Sequence, residues 1–414
     1  MTDAATRVGL RGDPCGTVDA SGVPRLGSYR TSFAWQVAAS DRWHDPRSAA
    51  SIRQRTIDGT PVVETKLAVP GGDIVSRAYA VADQGGALVC EFENRSPAAV
   101  VVAVPMRHAS TSASGAGTAP QGVEMGGDAR AFPLAHSSTV RFAWPVSRPR
   151  WGRTRRLDVA SLAFADAVVR GWVNASEKAS RVSFAVQALT AARSTMLLAS
   201  AREIDELFAN DPVLAVLCVA ERVRMGEPAA AWLSEVALAA EAVARSRTAA
   251  PLASRALSSR ALSSRALSAA VRVLSLAGED QGAHDASMLW HSMLRRGLAD
   301  ISHAPDDAAM ISPLARAAAE AAAIEERLVR AVSPDEARVF ADGITSSLRG
   351  TNFEAHGLPA GPLHRVSLAV RWHGENPALL WEVDGPPGLR LCSGVDPRFA
   401  TSEPRGEALL RMVP

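Results

Sequence analysis

The sequence predicts an α+β chain of several domains: an N-terminal antiparallel β-sandwich, a helical domain built of α/α hairpins, and a short C-terminal β-meander. Three patterns lead to this prediction. Alternating apolar and polar runs separated by turn residues fill positions 30–145, apolar residues recur at helical spacing from 157 to about 349, and alternation returns after Asn352. The predicted boundaries are 1–146 for the sandwich, 147–156 for an arginine-rich linker, 157–350 for the helical domain and 351–414 for a β segment docked on the rest.

The clearest strand signal is SIRQRTIDGTPVVETKLAV, residues 51–69, in which Asp58-Gly59 separates two alternating runs. A two-residue loop at this dipeptide would place Ile57 opposite Thr60. It would also place Arg53 opposite Glu64, as an oppositely charged cross-strand pair. Further short strands follow at regular spacing up to TVRFAWPV, which is typical of a sandwich.

The character of the chain changes at SRPRWGRTRR, residues 147–156, where five arginines surround one tryptophan. A basic patch with an aromatic ring is suited to binding phosphates, and this is one interpretation. The other is an interdomain linker whose arginines lie on the acidic surface of either domain. We favour the linker, because the formal net charge of the whole chain is only +2.

Two helix starts stand out in the helical region. Asp211-Pro212 places a proline in the first turn, where its missing N–H is harmless. The tetrapeptide from Ser333 to Glu336 has a serine cap, a proline at the first position and a glutamate three residues after the serine. Helices are expected to follow one another with short polar joints, as in paired-helix assemblies.

The pentapeptide SRALS occurs three times in succession, starting at Ser254, Ser259 and Ser264. Five residues advance a helix by about 500°, so the three leucines of the repeat cannot form one stripe. We therefore interpret the repeat as an expansion carried on the outside of the domain, or as an extension of one helix. It is expected to be dispensable for the core.

The stretch RVSLAVRWHGENPALLWEVDG, residues 365–385, alternates on both sides of a turn and predicts a strand hairpin. The expected turn runs from Gly374 to Pro377, which places Trp372 opposite Leu379. A third short strand follows the turn DGPPG at the end of the hairpin.

This hairpin supplies the candidate substrate-binding residues. Trp372 and Trp381 share one face, which is expected to pack a core because tryptophan is highly buried on average. Arg371, His373 and Glu382 share the other face, which either is exposed to solvent or forms the lip of a ligand cleft. Both interpretations stay open, and the sequence predicts no catalytic residue.

Bulk properties exclude several classes of protein. A net charge of +2 makes nucleic acid an improbable partner, and no apolar run approaches the roughly 20 residues of a membrane helix. The N-terminal residues lack the layout of a signal peptide, and the four cysteines are scattered, so a cytoplasmic protein without disulfides is expected. No nucleotide-binding, zinc-protease or serine-hydrolase motif occurs, and neither a metal nor a cofactor is predicted.

Three segments carry a resemblance to known families. VVETKLAVPGGDIVSRAYAVADQGGALVCEFENRSPAAVVVAV resembles the sandwiches of glucoamylase-like glycoside hydrolases, in which a β-sandwich precedes an α/α toroid. EAHGLPAGPLHRVSLAVRWHGENPALLWEV and DPRFATSEPRGEAL resemble an uncharacterised family of conserved proteins from high-GC bacteria. The helical region is too short for the twelve helices of a full toroid, so the resemblance implies a partial one.

The resemblance implies a carbohydrate-related protein that binds a glycan or hydrolyses one weakly. Nine tryptophans against two tyrosines agree with this, since indole rings serve as platforms for sugars. The alternative is a non-catalytic scaffold or adaptor built on the alanine-rich helical array, and a protein partner therefore stays open. A glycosidase needs a pair of carboxyl groups. The glutamates expected on helices, none distinguished by a motif, are Glu221, Glu235, Glu320, Glu325 and Glu326.

Overall fold

The structure is a computed structural model of the 414-residue chain. It describes residues 5–27, 31–113, 123–124, 128–146, 156–178, 181–199, 201–245, 256–295, 313–333, 335–361 and 363–412. Helices and sheets are both present, which makes the chain an α+β protein. It divides into two compact units: the β unit is Met1–Asn174 with Leu197–Ser200, and the helical unit is Ala175–Met196 with Ala201–Pro414.

The described part of the β unit consists mainly of antiparallel strands that form three sheets. The sheet orders are β1-β2-β3-β4, β12-β15-β10-β9-β8-β7 and β13-β14-β11-β5-β6. The strands are β1 (Thr6–Leu10), β2 (Asp13–Val18), β3 (Pro24–Leu26), β4 (Thr31–Ser32), β5 (Gln36–Ala38), β6 (Trp43–His44), β7 (Arg53–Thr56), β8 (Val63–Val69), β9 (Gly72–Val81), β10 (Ala87–Asn94), β11 (Val100–Pro105), β12 (Ser110–Ala113), β13 (Val123–Glu124), β14 (Ala129–Leu134) and β15 (Thr139–Pro145).

An aromatic core joins the six-stranded and five-stranded sheets. Phe142 of β15 lies 4.9 Å from Phe132 of β14 and 5.8 Å from Phe92 of β10, measured between ring centroids, in edge-to-face geometry. Trp35 packs against Phe92 at 5.1 Å. These rings are almost fully buried, and edge-to-face contacts of this kind add to the free energy of apolar burial. The two sheets therefore pack face to face, with their inward side chains forming one core.

The opposite face of the six-stranded sheet is covered by residues 157–163 and by helix α1 (Ala165–Ser176). The contact includes a buried polar cluster. The Tyr79 hydroxyl lies 2.5 Å from Glu91 Oε1, and Arg141 donates to the carbonyl oxygen of Leu162 at 3.0 Å while stacking over the Phe164 ring. Hydrogen-bonded partners offset the cost of burying these groups, so the cluster fixes the covering segment on the sheet.

The register of the β7–β8 hairpin differs from the predicted one by two residues. Asp58 and Gly59 have positive φ, and the Thr60 N–H donates to Ile57 O at 2.8 Å, as the predicted turn requires. The Ile57 N–H, however, donates to Val62 O, and Thr60 and Pro61 are looped out. The predicted Arg53–Glu64 pairing is therefore wrong, because φ of Pro61 is fixed by its ring and the ladder resumes only at Val62.

The shift changes which arginine reaches the glutamate of the adjacent strand. Arg53 pairs with Lys66 in the ladder, and Arg55 faces Glu64 with an Nε–Oε1 distance of 3.0 Å. Because the displacement is an even number of residues, each side chain keeps its predicted face of the sheet.

The helical unit combines helices with two further sheets. The sheet orders are β16-β19-β20-β21-β24 and β17-β18-β22-β23, and β18 pairs with β22 in parallel. From residue 181 the elements are β16 (Arg181–Val182), α2 (Val186–Leu198), α3 (Ala201–Asn210), α4 (Pro212–Arg224), α5 (Leu233–Arg245), α6 (Ala256–Leu276), α7 (Asp280–Arg295), α8 (Pro313–Glu326), β17 (Val329–Ser333), β18 (Glu336–Val339), β19 (Phe353–Pro359), β20 (Arg365–His373), β21 (Asn376–Asp384), β22 (Arg390–Ser393), β23 (Ala400–Thr401) and β24 (Arg405–Leu409).

Helix α4 is central to the helical packing, since it contacts α3, α5, α6 and α8. It begins where the sequence predicts: Asp211 caps it by accepting a hydrogen bond from Leu214 N at 3.2 Å, and Pro212 is its first residue. Its buried face includes Val216 and Val219. A helix with neighbours on several sides buries polar as well as apolar positions. The charged groups of the cavity described below lie on α4, α6, α8 and β17.

The helix start predicted at Ser333 is wrong. Ser333 ends β17 and Glu336 begins β18, and the two strands form an antiparallel hairpin. The Ser333 hydroxyl donates to Asp335 Oδ1 at 2.6 Å, so the short polar side chains serve a turn rather than a helix cap. In β18, Ala337 and Val339 are buried while Arg338 is exposed, a strand pattern that four residues are too few to reveal.

The C-terminal hairpin also differs in register by two residues. Trp372 pairs with Pro377, and Leu379 pairs with Val370, so the turn consists of Gly374 and Glu375 alone. Gly374 has φ of 64°, which a two-residue hairpin turn accommodates with glycine. The sequence predicts a longer turn that includes Pro377, whereas in the structure Pro377 is the second residue of β21.

The SRALS repeat lies on α6 as far as it is described, and the expectation that it contributes little to the core is wrong for its third copy. Ala266 and Leu267 are each 1% exposed. Ser264 accepts a hydrogen bond from Trp290 Nε1 at 3.0 Å, and Arg265 pairs with Glu326 at 2.7 Å. Apart from Ser263, the side chains of the first two copies lie outside the described residues, as do residues 147–155 of the predicted linker.

Two further expectations concern the whole chain. Among the described helices, none combines the length and the apolar composition that a bilayer span requires. All four cysteine thiols are free.

Candidate functional site

The polar face of the C-terminal hairpin keeps the predicted side chains together. Arg371, His373 and Glu382 lie on the same side of the sheet formed by β20 and β21. His373 and Glu382 are exposed, whereas Arg371 donates hydrogen bonds to Glu354 Oε1 and to the carbonyl oxygen of Val370. Arg371 is thus held against the neighbouring strand β19.

The two tryptophans lie on the opposite face and differ in burial. Trp381 is 8% exposed, its indole N–H donates to Glu403 O at 3.0 Å, and its ring packs against Phe399 at 5.4 Å. A side chain on Gly406 would collide with this ring, because a Cβ atom there would lie 2.5 Å from Trp381 Cζ2. Trp372 is half-buried. Trp381 is therefore a packing residue, and a glycan-binding role for the five residues as a set remains a prediction.

A polar cleft opens in the helical unit beside β19. Its cavity volume is about 280 Å³, close to the lower limit of about 300 Å³ for small-molecule sites. The hydrogen-bonding side chains around it come from the end of α1, from β16, from α2 and from β19. They are Ser176, Glu177, Ser183, Thr190, Arg193, Glu354 and His356.

Glu354 is the best positioned carboxylate of this cleft. The Arg371 guanidinium donates to its Oε1, and His356 Nε2 lies 3.6 Å from its Oε2. The hydrogen bond from Arg371 lowers the pKa of Glu354 below its usual value, with a contribution from the charge of Arg371. Glu354 is therefore an ionised hydrogen-bond acceptor, and Arg371 connects the predicted hairpin face to the cleft.

A second, smaller cavity lies among α4, α6, α7 and α8, and we call it the charged cavity. Its volume is about 80 Å³. Trp290, Ser264 and Ser268 contribute to its wall together with small apolar side chains. The charged residues that line it are Glu221, Arg224, Arg265, Arg272, Glu325, Glu326 and Arg330.

Glu221 on α4 and Glu325 on α8 share one arginine of the charged cavity. Arg224 Nη1 lies 2.7 Å from Glu221 Oε1 and also donates to Glu325 Oε2. Both carboxylates are buried. Burial raises the pKa of Glu221, against the opposing charges of Arg224 and Arg193. Two carboxylates that share a guanidinium nitrogen suit a structural ion network better than an acid and base acting across a bond.

Arg193 links the two cavities. It lines the polar cleft, and its Nη2 donates to Glu325 Oε1 at 2.5 Å. Its Nε approaches Glu221 Oε2 at 3.8 Å, an ion-pair distance that is too long for a hydrogen bond. The side chain is 1% exposed. Any change of the ion network in the charged cavity should therefore reach the wall of the polar cleft.

Arg272 on α6 has a different environment from the other arginines of the charged cavity. Its Nη2 donates to Gly361 O at 2.7 Å, and no carboxylate of the described residues lies within ion-pair distance of it. Burial lowers the pKa of Arg272 to about 9, with further lowering by the charges of Arg224 and Arg365. The charges of Glu221 and Glu325 act in the opposite direction. Arg272 thus contributes a positive charge that no direct ion pair with a described residue neutralises.

No motif separates Glu221 and Glu325 from Glu235 and Glu320. In the structure, Glu235 and Glu320 are exposed while the first pair is buried. Nothing in the sequence indicates the polar cleft either, because its walls come from segments more than 160 residues apart. One signal was available: Glu354 lies within a segment that resembles the uncharacterised bacterial family. Among the described residues, no group of three potential metal-binding side chains occurs.

Comparisons with known proteins add two structural likenesses. A bacterial glucoamylase complexed with acarbose aligns with a TM-score of 0.33 and 8% identity, covering 71% of this chain and 67% of that one. A putative kojibiose phosphorylase from the human microbiome aligns with a TM-score of 0.36 and 7% identity, covering 99% of this chain and 91% of that one.

No model of a known protein family matches the chain, and no curated protein matches it in sequence. Alignments at these TM-scores do not establish the function of the chain, which has to be argued from its own side chains.

Proposed function

We propose that the protein binds a carbohydrate in the polar cleft and that binding, rather than hydrolysis, is its activity. The observation that carries the proposal is the ionised Glu354, fixed by Arg371 on the wall of a cleft that Glu177, Thr190 and His356 also line. Sugars present many hydroxyl donors and acceptors, and preoriented carboxylate and hydroxyl groups recognise them without paying for reorganisation. The volume suits a single sugar ring.

The same geometry argues against an efficient glycosidase. A glycosidase needs one carboxylic acid that keeps its proton near neutral pH. The pKa of Glu354 is shifted in the opposite direction. Burial raises the pKa of Glu221, but this carboxylate is enclosed in the charged cavity, where Arg224 holds it together with Glu325. We further propose that the chain is a sandwich joined to a partial toroid of helix hairpins, which is supported by the packing of α4 against its four neighbours.

The test is a glycan array with the full chain, followed by calorimetric titration of the best sugar. Glu354→Gln should weaken binding by about 10- to 100-fold, the effect of losing a hydrogen bond to a charged acceptor. Glu382→Gln is the matched control, because Glu382 is an exposed glutamate on the same sheet face outside the cleft. Its affinity should equal that of the parent.

Three outcomes would overturn the proposal in different ways. Binding unaffected by Glu354→Gln would place the sugar elsewhere. Release of reducing sugar by the parent, lost in Glu354→Gln, would make the protein a hydrolase. Failure of the parent to bind any glycan would favour the scaffold or adaptor built on the helical array.

A further inference from the structure

The charged cavity holds more positive than negative charge. Its lining contains four arginines, Arg224, Arg265, Arg272 and Arg330, and three glutamates, Glu221, Glu325 and Glu326. Arg224 contacts Glu221 and Glu325, and Arg265 pairs with Glu326. Two groups beside the lining complete the count, since Arg193 also donates to Glu325 and Asp342 pairs with Arg330. Five arginines thus face four carboxylates. The remaining excess is one positive charge, and a buried charge without a partner costs considerable free energy. A bound monoanion would remove this cost.

Donor groups on the cavity wall match such an anion. Arg272 uses one guanidinium nitrogen to reach Gly361 O, and its other N–H groups remain available. Ser264 is 1% exposed and accepts a hydrogen bond from Trp290 Nε1. Because the Ser264 oxygen is the acceptor in this bond, its own proton can be donated to a ligand in the cavity. A guanidinium fork and a buried hydroxyl donor together form an oxyanion site.

We propose that the charged cavity binds a small monocarboxylate, with Arg272 as its charged donor and Ser264 as its hydroxyl donor. The size of the cavity supports a small ligand. At about 10–15 Å³ per water-sized group, a volume of 80 Å³ holds only a few heavy atoms. One negative charge balances the excess, whereas a phosphate dianion would exceed it. The small side chains of Ala269, Ala318 and Ala322 and the Trp290 ring accommodate the apolar end of the ligand.

This site is independent of carbohydrate binding in the polar cleft, but Arg193 connects them. Arg193 holds Glu325 of the charged cavity and lines the cleft. A carboxylate at Arg272 would thus stabilise the network that orients Arg193. The two proposals have separate tests, since one is measured with a simple carboxylate and the other with a glycan.

The experiment is thermal unfolding of the full chain in increasing sodium acetate, with sodium chloride at matched ionic strength as the reference. Acetate should raise the melting temperature in a saturable manner, and chloride should not. Trifluoroacetate should show broadened fluorine resonances that added acetate sharpens by competition.

Two variants localise the effect. Arg272→Met should raise the melting temperature of the unliganded protein, because it removes an uncompensated buried charge, and it should abolish the response to acetate. Arg272→Lys keeps the charge but loses the planar fork, so the acetate affinity should fall at least 10-fold. Arg316→Met is the control, since Arg316 is an exposed arginine on α8, and it should retain the parent response.

An acetate response that survives both substitutions of Arg272 would overturn the proposal, as would the absence of any response in the parent. Protection by phosphate through Arg272 without protection by acetate would overturn the assigned class of ligand. Should Arg272→Met fail to fold, Ser264→Ala provides the second measurement: it should lower acetate affinity while leaving the response to chloride unchanged.

Discussion

The two units hold their interiors together by different chemistry. In the β unit, Phe92, Phe132 and Phe142 meet between two sheets. In the helical unit, Glu221 and Glu325 meet arginines in the space between α4 and α8. An aromatic core tolerates gradual loss of volume, whereas a buried ion network depends on every member. Single substitutions should therefore change the free energy of unfolding gradually in the β unit. In the helical unit, they should cause a large loss whenever one member of the ion network is removed.

The largest effect is expected for Glu325→Gln. It leaves Arg193 and Arg224 with a deficit of negative charge in a buried place, and breaking one partner of such a network costs about 3–5 kcal/mol. Urea unfolding would measure the loss. Glu320→Gln on the same helix is the control, because Glu320 is exposed and its pair with Arg316 is worth at most about 0.5 kcal/mol.

The contrast between the two units would be wrong if apolar residues could replace the ion network without loss of stability. Simultaneous replacement of Arg193, Arg224, Glu221 and Glu325 by methionine and leucine tests this, since buried ion pairs exchanged for packed apolar residues are often neutral or stabilising. A variant that is stable but no longer binds sugar or acetate would show that the network serves ligand binding rather than folding.

The next largest loss of stability is expected for Trp381→Ala. Trp381 is a packed side chain with its indole N–H bonded to Glu403 O, and its truncation should cost about 3–5 kcal/mol. Trp372→Ala should cost less, since Trp372 is only half-buried. Chemical denaturation of both variants checks the order. Equal losses would show that the two rings contribute equally to the apolar face, as the sequence alone suggests.

The third copy of the repeat provides a test inside one helix. Leu267→Ala should cost about 2–5 kcal/mol, because Leu267 is 1% exposed. Leu276→Ala, also on α6 but 57% exposed, should change the stability by less than about 0.5 kcal/mol. A melting temperature unchanged by Leu267→Ala would restore the interpretation of the repeat as dispensable.

The contrast between the units also explains which structural features the sequence predicts and which it does not. Strand faces follow from a period of two, so the faces of Val63, Leu67, Trp372 and Trp381 were predicted correctly even though both hairpin registers were displaced by two residues. The registers depend on where a proline lies. Pro61 lies in a β7–β8 loop that is longer than predicted, whereas Pro377 lies in the C-terminal ladder opposite Trp372, so that turn is shorter than predicted.

The buried charges could not be predicted for a different reason. Glu221 and Glu320 both lie on helices without a distinguishing motif, and only the packing of the helices shows that the first is buried and the second exposed. The same limit applies to Glu354, whose partner Arg371 lies on the next strand and whose cleft is completed by α1 and α2. Of the predicted site, Arg371 alone contacts a residue of the cleft among the described side chains.

Replacing Arg371, His373 and Glu382 together by alanine should have a small effect on stability. These side chains lie on a largely exposed face, and exposed ion pairs contribute about 0–1 kcal/mol. Glycan binding should nevertheless weaken, because Glu354 loses its positioning partner. A large loss of stability with unchanged binding would assign this face to packing and remove Arg371 from the proposed site.

The smallest expected effect is a shift in the pH dependence of binding. Arg371 lowers the pKa of Glu354, so Glu354 stays ionised as the pH falls through the usual glutamate value of about 4.3, and sugar binding is lost only at lower pH. In Arg371→Gln the pKa should return toward its usual value, which moves the acid limb of the binding curve upward. Titration of Glu354 by NMR, together with affinity measured at several pH values, checks the shift. His373→Gln is the control, because His373 lies on the same strand without a contact to Glu354. An acid limb that stays in place in Arg371→Gln would mean that Glu354 is not the group whose charge the sugar needs.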